Sequence, residues 1–110
     1  MYSINDMSTI KTEVGQLDAA AGILGDKWTP RLLRYFINED RVRFCQLQDL
    51  VTGINPRTLS ARLTNLEKRG IIVKETSGSS SRCEYRLTPK GQDLLPILQC
   101  MQTWSDKYND

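Results

Sequence analysis

In the stretch INPRTLSARLTNLEKRGII (Ile54–Ile72), side chains able to read a base edge recur at helical spacing. If residues 56–69 are helical, Arg57, Ala61, Asn65 and Lys68 point one way, with Thr58, Ser60, Arg62 and Thr64 on the flanks. Leu59, Leu63 and Leu66 fall within about 60° of one another on the other side. Arginine can donate two hydrogen bonds to guanine, asparagine can bridge adenine, and an alanine or threonine methyl can meet the thymine methyl. Residues in the first turns reach bases most easily, so Arg57, Thr58, Ala61 and Arg62 are the candidate readers, with Asn55 and Asn65 beside them. Lys68 and Arg69 lie farther along and suit phosphate. The same pattern also describes an ordinary amphipathic surface helix, and spacing alone leaves both readings open.

Other chemistry finds few residues. The chain has no histidine, no Cys-x-x-Cys pair, no phosphate-binding glycine loop and no nucleophile elbow. Neither an enzyme nor a metal or cofactor is expected, and Glu39-Asp40 reads as solvated loop charge. The three cysteines, Cys45, Cys83 and Cys100, are scattered and odd in number, which suits a reducing compartment. Cys45 is a candidate redox sensor, because Arg43 and a helix start both favour thiolate; the competing reading is an inert thiol at a packed edge. Cys100 is a second candidate through an intersubunit disulfide, or else an interface hydrophobe, and Cys83 reads as strand packing.

These residues must be held by a small fold. A chain of 110 residues, 39% hydrophobic and 25% charged, is one globular domain. No apolar run approaches the ~20 residues of a membrane span, and the polar start MYSINDMSTIKTEVGQ lacks a signal-peptide core, so no membrane and a cytoplasmic location are expected. Charge is uneven. Residues 54–90 hold eight basic side chains against three acidic ones, while the rest hold seven against ten. Such a block suits a polyanion or a solvated surface.

Residues 1–12 read as an arm and 13–110 as the domain. LDAAAGIL (Leu17–Leu24) predicts a short helix, and Lys27–Phe36 predicts a second with Thr29-Pro30 near its start. Phe44, Leu47, Leu50 and Val51 predict a third, closed by Gly53. Next comes the polar-faced helix. Asn55 is its cap, Pro56 its first residue, Gly70 its stop, and Ile54 with Leu59 a hydrophobic staple. Ile71–Thr76 and Cys83–Leu87 predict a hairpin around SGSSSR (Ser77–Arg82). That wing offers Lys74, Arg82 and Arg86 to phosphate or the minor groove. Thr88-Pro89 opens a last helix, 88–108, kinked at Pro96. Its apolar row exceeds what one small bundle can cover, which makes it a dimerisation helix. Leu98, Met101, Trp104 and Tyr108 are the candidate interface, although Trp104 also suits the core, where Trp28 is expected.

Helices, hairpin and polar face together predict an α+β, mainly α fold, a winged helix-turn-helix with a C-terminal dimerisation helix. The motifs Gly25-x-Lys27-Trp28-Thr29, Arg43-Phe44-x-x-Leu47, Leu59-x-x-Arg62-Leu63-x-x-Leu66-x-x-x-Gly70 and Glu84-Tyr85-x-Leu87-Thr88-Pro89-Lys90-Gly91 resemble the HxlR-type regulators, a winged-helix branch close to the MarR family. The likeness covers roughly Leu17–Trp104. It implies a prokaryotic transcription factor binding operator DNA as a homodimer through its N- and C-terminal helices. It also implies recognition-helix positions for Arg57, Ser60 and Arg62, and a wing over Ile71–Leu87. Gly15 stands where many members have a cysteine, and Ser79-Ser80-Ser81 where the wing often has proline. The expected function is a sequence-specific, homodimeric repressor on double-stranded DNA. A winged-helix module docking its basic face on an acidic protein is the alternative, and no residue set specifies a small-molecule effector.

Overall fold

The structure, a computed structural model, describes residues 17–76 and 83–109. Residues 17–24 form α1. A short α2 (Thr29–Leu33) runs into one 3-10 turn (Arg34–Phe36), and β1 (Val42–Arg43) leads directly into α3 (Phe44–Leu50). Then follow α4 (Pro56–Lys68), the hairpin β2 (Ile72–Thr76) and β3 (Cys83–Leu87), α5 (Pro89–Gln92) and α6 (Leu95–Tyr108). The sheet is antiparallel, in the order β1-β3-β2. The predicted hairpin forms with Ile72 opposite Leu87 and Thr76 opposite Cys83.

One apolar core is shared by every layer: Leu32 and Leu33 from α2, Leu47 from α3, Leu59, Leu63 and Leu66 from α4, with Ile71, Ile72, Tyr85 and Leu87 from the wing base. Burial of the three α4 leucines fixes which way that helix faces, since truncating a buried leucine typically costs about 2–5 kcal/mol.

Both ends of α4 are closed by local chemistry. The Thr58 N–H donates to Asn55 Oδ1 at 2.8 Å, capping the first turn. At the far end the Gly70 N–H reaches the Glu67 carbonyl and the Ile71 N–H the Leu66 carbonyl, the paired bonds of a Schellman stop. Gly70 has φ +75°, which a side chain would strain. Ile54 and Leu59 are both buried, as the staple requires.

The turn after β3 then fastens the wing to α4. The Gly91 N–H donates to Thr88 Oγ1 at 3.0 Å, and the Thr88 N–H donates to the Ile71 carbonyl, also at 3.0 Å. Lys90 Nζ reaches the Arg69 carbonyl at 2.8 Å. Gly91 packs so tightly on the Ile71 carbonyl that a Cβ there would overlap it. The Thr-Pro-Lys-Gly motif is therefore a clamp across the α4–β2 corner.

Three expectations need correction, and one strand is an addition. The helix expected over Lys27–Phe36 is five residues of α2 plus a 3-10 turn, and its opening is capped from Asp26. The helix expected over 88–108 is not kinked at Pro96. It breaks at Asp93-Leu94, which leaves Pro96 in the first turn of α6, where a missing N–H costs nothing. Strand β1 was not expected. Leu98, expected at a dimer interface, is 5% exposed and belongs to the chain's own core, in one cluster with Leu94 a turn before it. The expected arm, 1–12, lies outside the described residues.

Candidate nucleic-acid interface

Away from the core, α4 presents Arg57, Ser60, Ala61, Thr64, Asn65 and Lys68, all exposed. No aromatic or large aliphatic side chain interrupts them. Thr58 is half-buried beside the cap, and the Asn55 oxygen is committed to that cap, so Asn55 shapes the helix start. Thr64, expected on the flank, belongs to the exposed stripe, as its angle around the helix allows.

Arg62 is not placed with the other readers. It lies half-buried on the flank, with Nη1 3.8 Å from Asp26 Oδ2 and with its Nε buried and without a hydrogen-bond partner. Asp26 is fixed in turn. Its Oδ1 accepts from the Trp28 and Thr29 N–H groups, each at 2.8 Å, and its Oδ2 accepts from the Thr29 hydroxyl at 2.6 Å. Partial burial pushes the Asp26 carboxyl up, but the Thr29 and Trp28 hydrogen bonds and the Arg62 charge outweigh it and hold the group below its ordinary value. Arg69, assigned to phosphate, has its Nη1 3.5 Å from where a Cβ on Gly22 would lie, so it reaches back to α1.

On the wing, strand alternation decides which cations are available. Arg86, Glu75 and Glu84 share the outer face of the sheet with Arg43. Arg86 Nη2 lies 3.2 Å from Glu75 Oε2, Arg41 Nη1 lies 3.4 Å from Glu75 Oε1 and 3.8 Å from Glu84 Oε1, and Arg43 Nε lies 3.7 Å from Glu84 Oε2. The Arg86 hydrogen bond, opposed by desolvation and aided by the Arg86 and Arg41 charges, holds the Glu75 carboxyl below its ordinary value. Arg86 is thus tied across the hairpin to Glu75, with its side chain still partly exposed. Lys74 is exposed on the other face, opposite Tyr85. Arg82 lies outside the described residues.

The dimer candidates divide. Met101, Trp104 and Tyr108 are 41%, 66% and 56% exposed, and Ile97, which the expectation omitted, is 41% exposed and extends their row along α6. The Trp104 and Tyr108 rings lie 5.1 Å apart. Trp28 is half-buried against the core, with Lys27 Nζ 4.7 Å from its ring centre. Cys45 and Cys100 are exposed, and Cys45 shares with Cys83, Arg43 and Phe44 a depression of about 380 Å³. Among the described residues, no three His, Cys, Asp or Glu side chains are grouped to hold a metal, and no helix is long and apolar enough to cross a membrane.

A short capped helix with a small polar face, clamped to a three-stranded wing, narrows the families this chain can join. Residues 23–110 match the model of the HxlR-like helix-turn-helix. The chain belongs to that family. This HxlR-like chain is 32% identical over 106 residues to the uncharacterized HTH-type transcriptional regulator YdeP of Bacillus subtilis (strain 168), covering 96% of this chain and 82% of that one. It is 26% identical over 94 residues to the HTH-type transcriptional regulator YodB of the same organism, covering 84% and 83%. The solved structure of the redox regulator HypR in its reduced form superposes with a TM-score of 0.78 at 28% identity, over 86% of this chain and 94% of that one. The expected family and fold, a winged helix-turn-helix, are both upheld.

Proposed function

We infer that this HxlR-like chain, a DNA-binding transcription regulator, acts as a homodimeric repressor that occupies operator DNA in the cytoplasm. Helix α4 enters the major groove and the β2–β3 wing lies beside it. The observation that carries this is the outer face of α4. It holds Arg57, Ser60, Ala61, Thr64, Asn65 and Lys68 clear of the core on a helix capped at both ends. Arg57 suits guanine, Asn65 adenine and the Ala61 or Thr64 methyl thymine, while Lys68 and Lys74 suit phosphate.

A second copy supplies the other half-site. The exposed row Ile97, Met101, Trp104 and Tyr108, at spacings of four, three and four, is the seam of a helix that packs on another helix. Cys45 and Cys100, both exposed, are the thiols an oxidant reaches first. The alternative, docking on an acidic protein, is disfavoured because such a helix uses a large apolar anchor, and the exposed stripe of α4 has none.

The test is fluorescence anisotropy with duplexes from the gene's own upstream region and with scrambled duplexes, each at two salt concentrations. Preference for the upstream duplex, weakening steeply with salt, is the expected result. Equal, weak binding to both, with a stoichiometry of one chain, would overturn the reading.

A further inference from the structure

Two guanidinium groups on one flank of α4 reach backwards, away from the exposed stripe. Arg62 meets Asp26, in the turn between α1 and α2, and Arg69 lies over Gly22 within α1. The carboxylate that Arg62 approaches has little freedom, since its three hydrogen bonds to Trp28 and Thr29 set its direction. Arg62 approaches at 3.8 Å, too long for a hydrogen bond, so the attraction is one of charge. Its Nε is buried without a partner, which leaves Asp26 as its compensating group among the described residues.

We propose that Asp26 is a positioning residue for DNA recognition: by holding Arg62 it sets the direction of α4 relative to α2, which packs on the seam helix α6, and so the separation of the two recognition helices in a dimer. This rests on the homodimer reading above. It also removes Arg62 from the base readers. Asp26 does two separable jobs here. Its Oδ1 caps α2 through the backbone, which asparagine can also do, whereas holding Arg62 needs the negative charge. Asp26→Asn therefore keeps the cap and releases the tether.

The experiment begins with half-sites selected from random duplexes. They are then rebuilt as pairs at the selected spacing and at spacings one and two base pairs longer or shorter. Anisotropy measures wild type, Asp26→Asn, Arg62→Met, Arg62→Lys and the double variant Asp26→Asn/Arg62→Met, with thermal unfolding run alongside and sedimentation giving the assembly state of the wild type. The expected result is that Asp26→Asn binds the selected spacing about three- to fivefold more weakly, as loss of a half-exposed ion pair implies. Binding to the other spacings changes little, so the spacing profile flattens. Base preference and salt slope stay as in wild type. Arg62→Met behaves likewise, the double variant is no worse than either single, and Arg62→Lys recovers part of the loss.

Unchanged affinity and spacing profile in Asp26→Asn would overturn the proposal. So would tighter binding, because it would mean that Asp26 withholds Arg62 from DNA. A salt slope lowered by about one in Arg62→Met, or preference lost at one base pair, would also do so by placing Arg62 on the duplex. A wild-type protein that sediments as one chain and ignores spacing would refute the homodimer reading itself, and the proposal with it.

Discussion

Gly91→Ala tests the corner on which the wing is hung. A Cβ built at Gly91 overlaps the Ile71 carbonyl oxygen and stands 2.9 Å from Leu87 Cδ2. The carbonyl cannot easily retreat, since it accepts the Thr88 N–H at 3.0 Å and lies 3.1 Å from the Thr88 hydroxyl. Overpacking of this kind typically costs about 1–3 kcal/mol, and an obstacle that is backbone places Gly91 at the upper end. The intrinsic gain of alanine over glycine in a helix, roughly 1 kcal/mol, offsets part of it. A net loss of about 2 kcal/mol remains, which for a domain of this size lowers Tm by roughly 10 °C.

The same substitution at Gly22 is the control. There, among the described residues, a Cβ meets only Arg69 Nη1, at an ordinary 3.5 Å, so Gly22→Ala should be neutral or stabilise by about 0.5–1 kcal/mol. The assay is urea unfolding followed by the fluorescence of Trp28 and Trp104, at one protein concentration because assembly shifts the midpoint. A Gly91→Ala midpoint equal to wild type would refute the clamp. So would two glycine variants that move together, since the contrast comes from the corner and not from helix propensity.

Three further outcomes follow from the same geometry. Arg57→Ala should relax preference at one base pair by about 1–3 kcal/mol, checked by competition between single-base operator variants; affinity lost equally on every sequence would assign Arg57 to phosphate instead. Leu98→Ala should cost about 2–5 kcal/mol of folding stability, whereas Met101→Ala should leave urea unfolding of the single chain nearly unchanged and weaken self-association in sedimentation. Lowering pH should destabilise the fold through Asp26 and Glu75, whose carboxyls are held below 3.8 and 4.5. A depressed folded pKa gives stabilisation that is fully present above the unfolded value and is lost as pH falls through the folded one. Unfolding free energy should therefore be flat from neutral pH to about 5 and fall below about 4, with a shallower fall in Glu75→Gln.

What could be read ahead of the structure was whatever is settled within a few residues. Asn55, Pro56, Leu59 and Gly70 specify α4 locally, and each took the expected place, as did the branched residues of the hairpin. Strand β1 escaped because two residues carry no period; its existence depends on β3 having a free edge for Val42 and Arg43. Pro96 was recognised as a disruption, but nothing local decides whether a proline bends a helix or begins one. Arg62 and Arg86 escaped for a different reason. Angle around a helix or parity along a strand says which way a side chain leaves the backbone, not whom it meets. Asp26 is far from Arg62 in the chain, and Glu75 meets Arg86 only through the register of the hairpin, so both pairings arrive with the fold.

Those internal pairings change what the basic block means for DNA. Of its eight cations, Arg62 and Arg86 are ion-paired, Lys90 donates to the Arg69 carbonyl, and Arg69 lies against Gly22. Arg57, Lys68 and Lys74 have no such engagement among the described residues, and Arg82 lies outside them. Each cation that meets the duplex displaces counterions, contributing about −0.9 to the slope of log K against log salt concentration. A dimer using three such cations per chain should then show a slope of about −5, and about −7 if Arg82 joins, against about −14 if the whole block were free. Anisotropy at four or five salt concentrations separates these values. A measured slope near −14 would mean that Arg62 and Arg86 leave their carboxylates when DNA arrives. The ion pairs would then be a reserve of DNA-binding charge, not part of the frame that holds α4 and the wing in place.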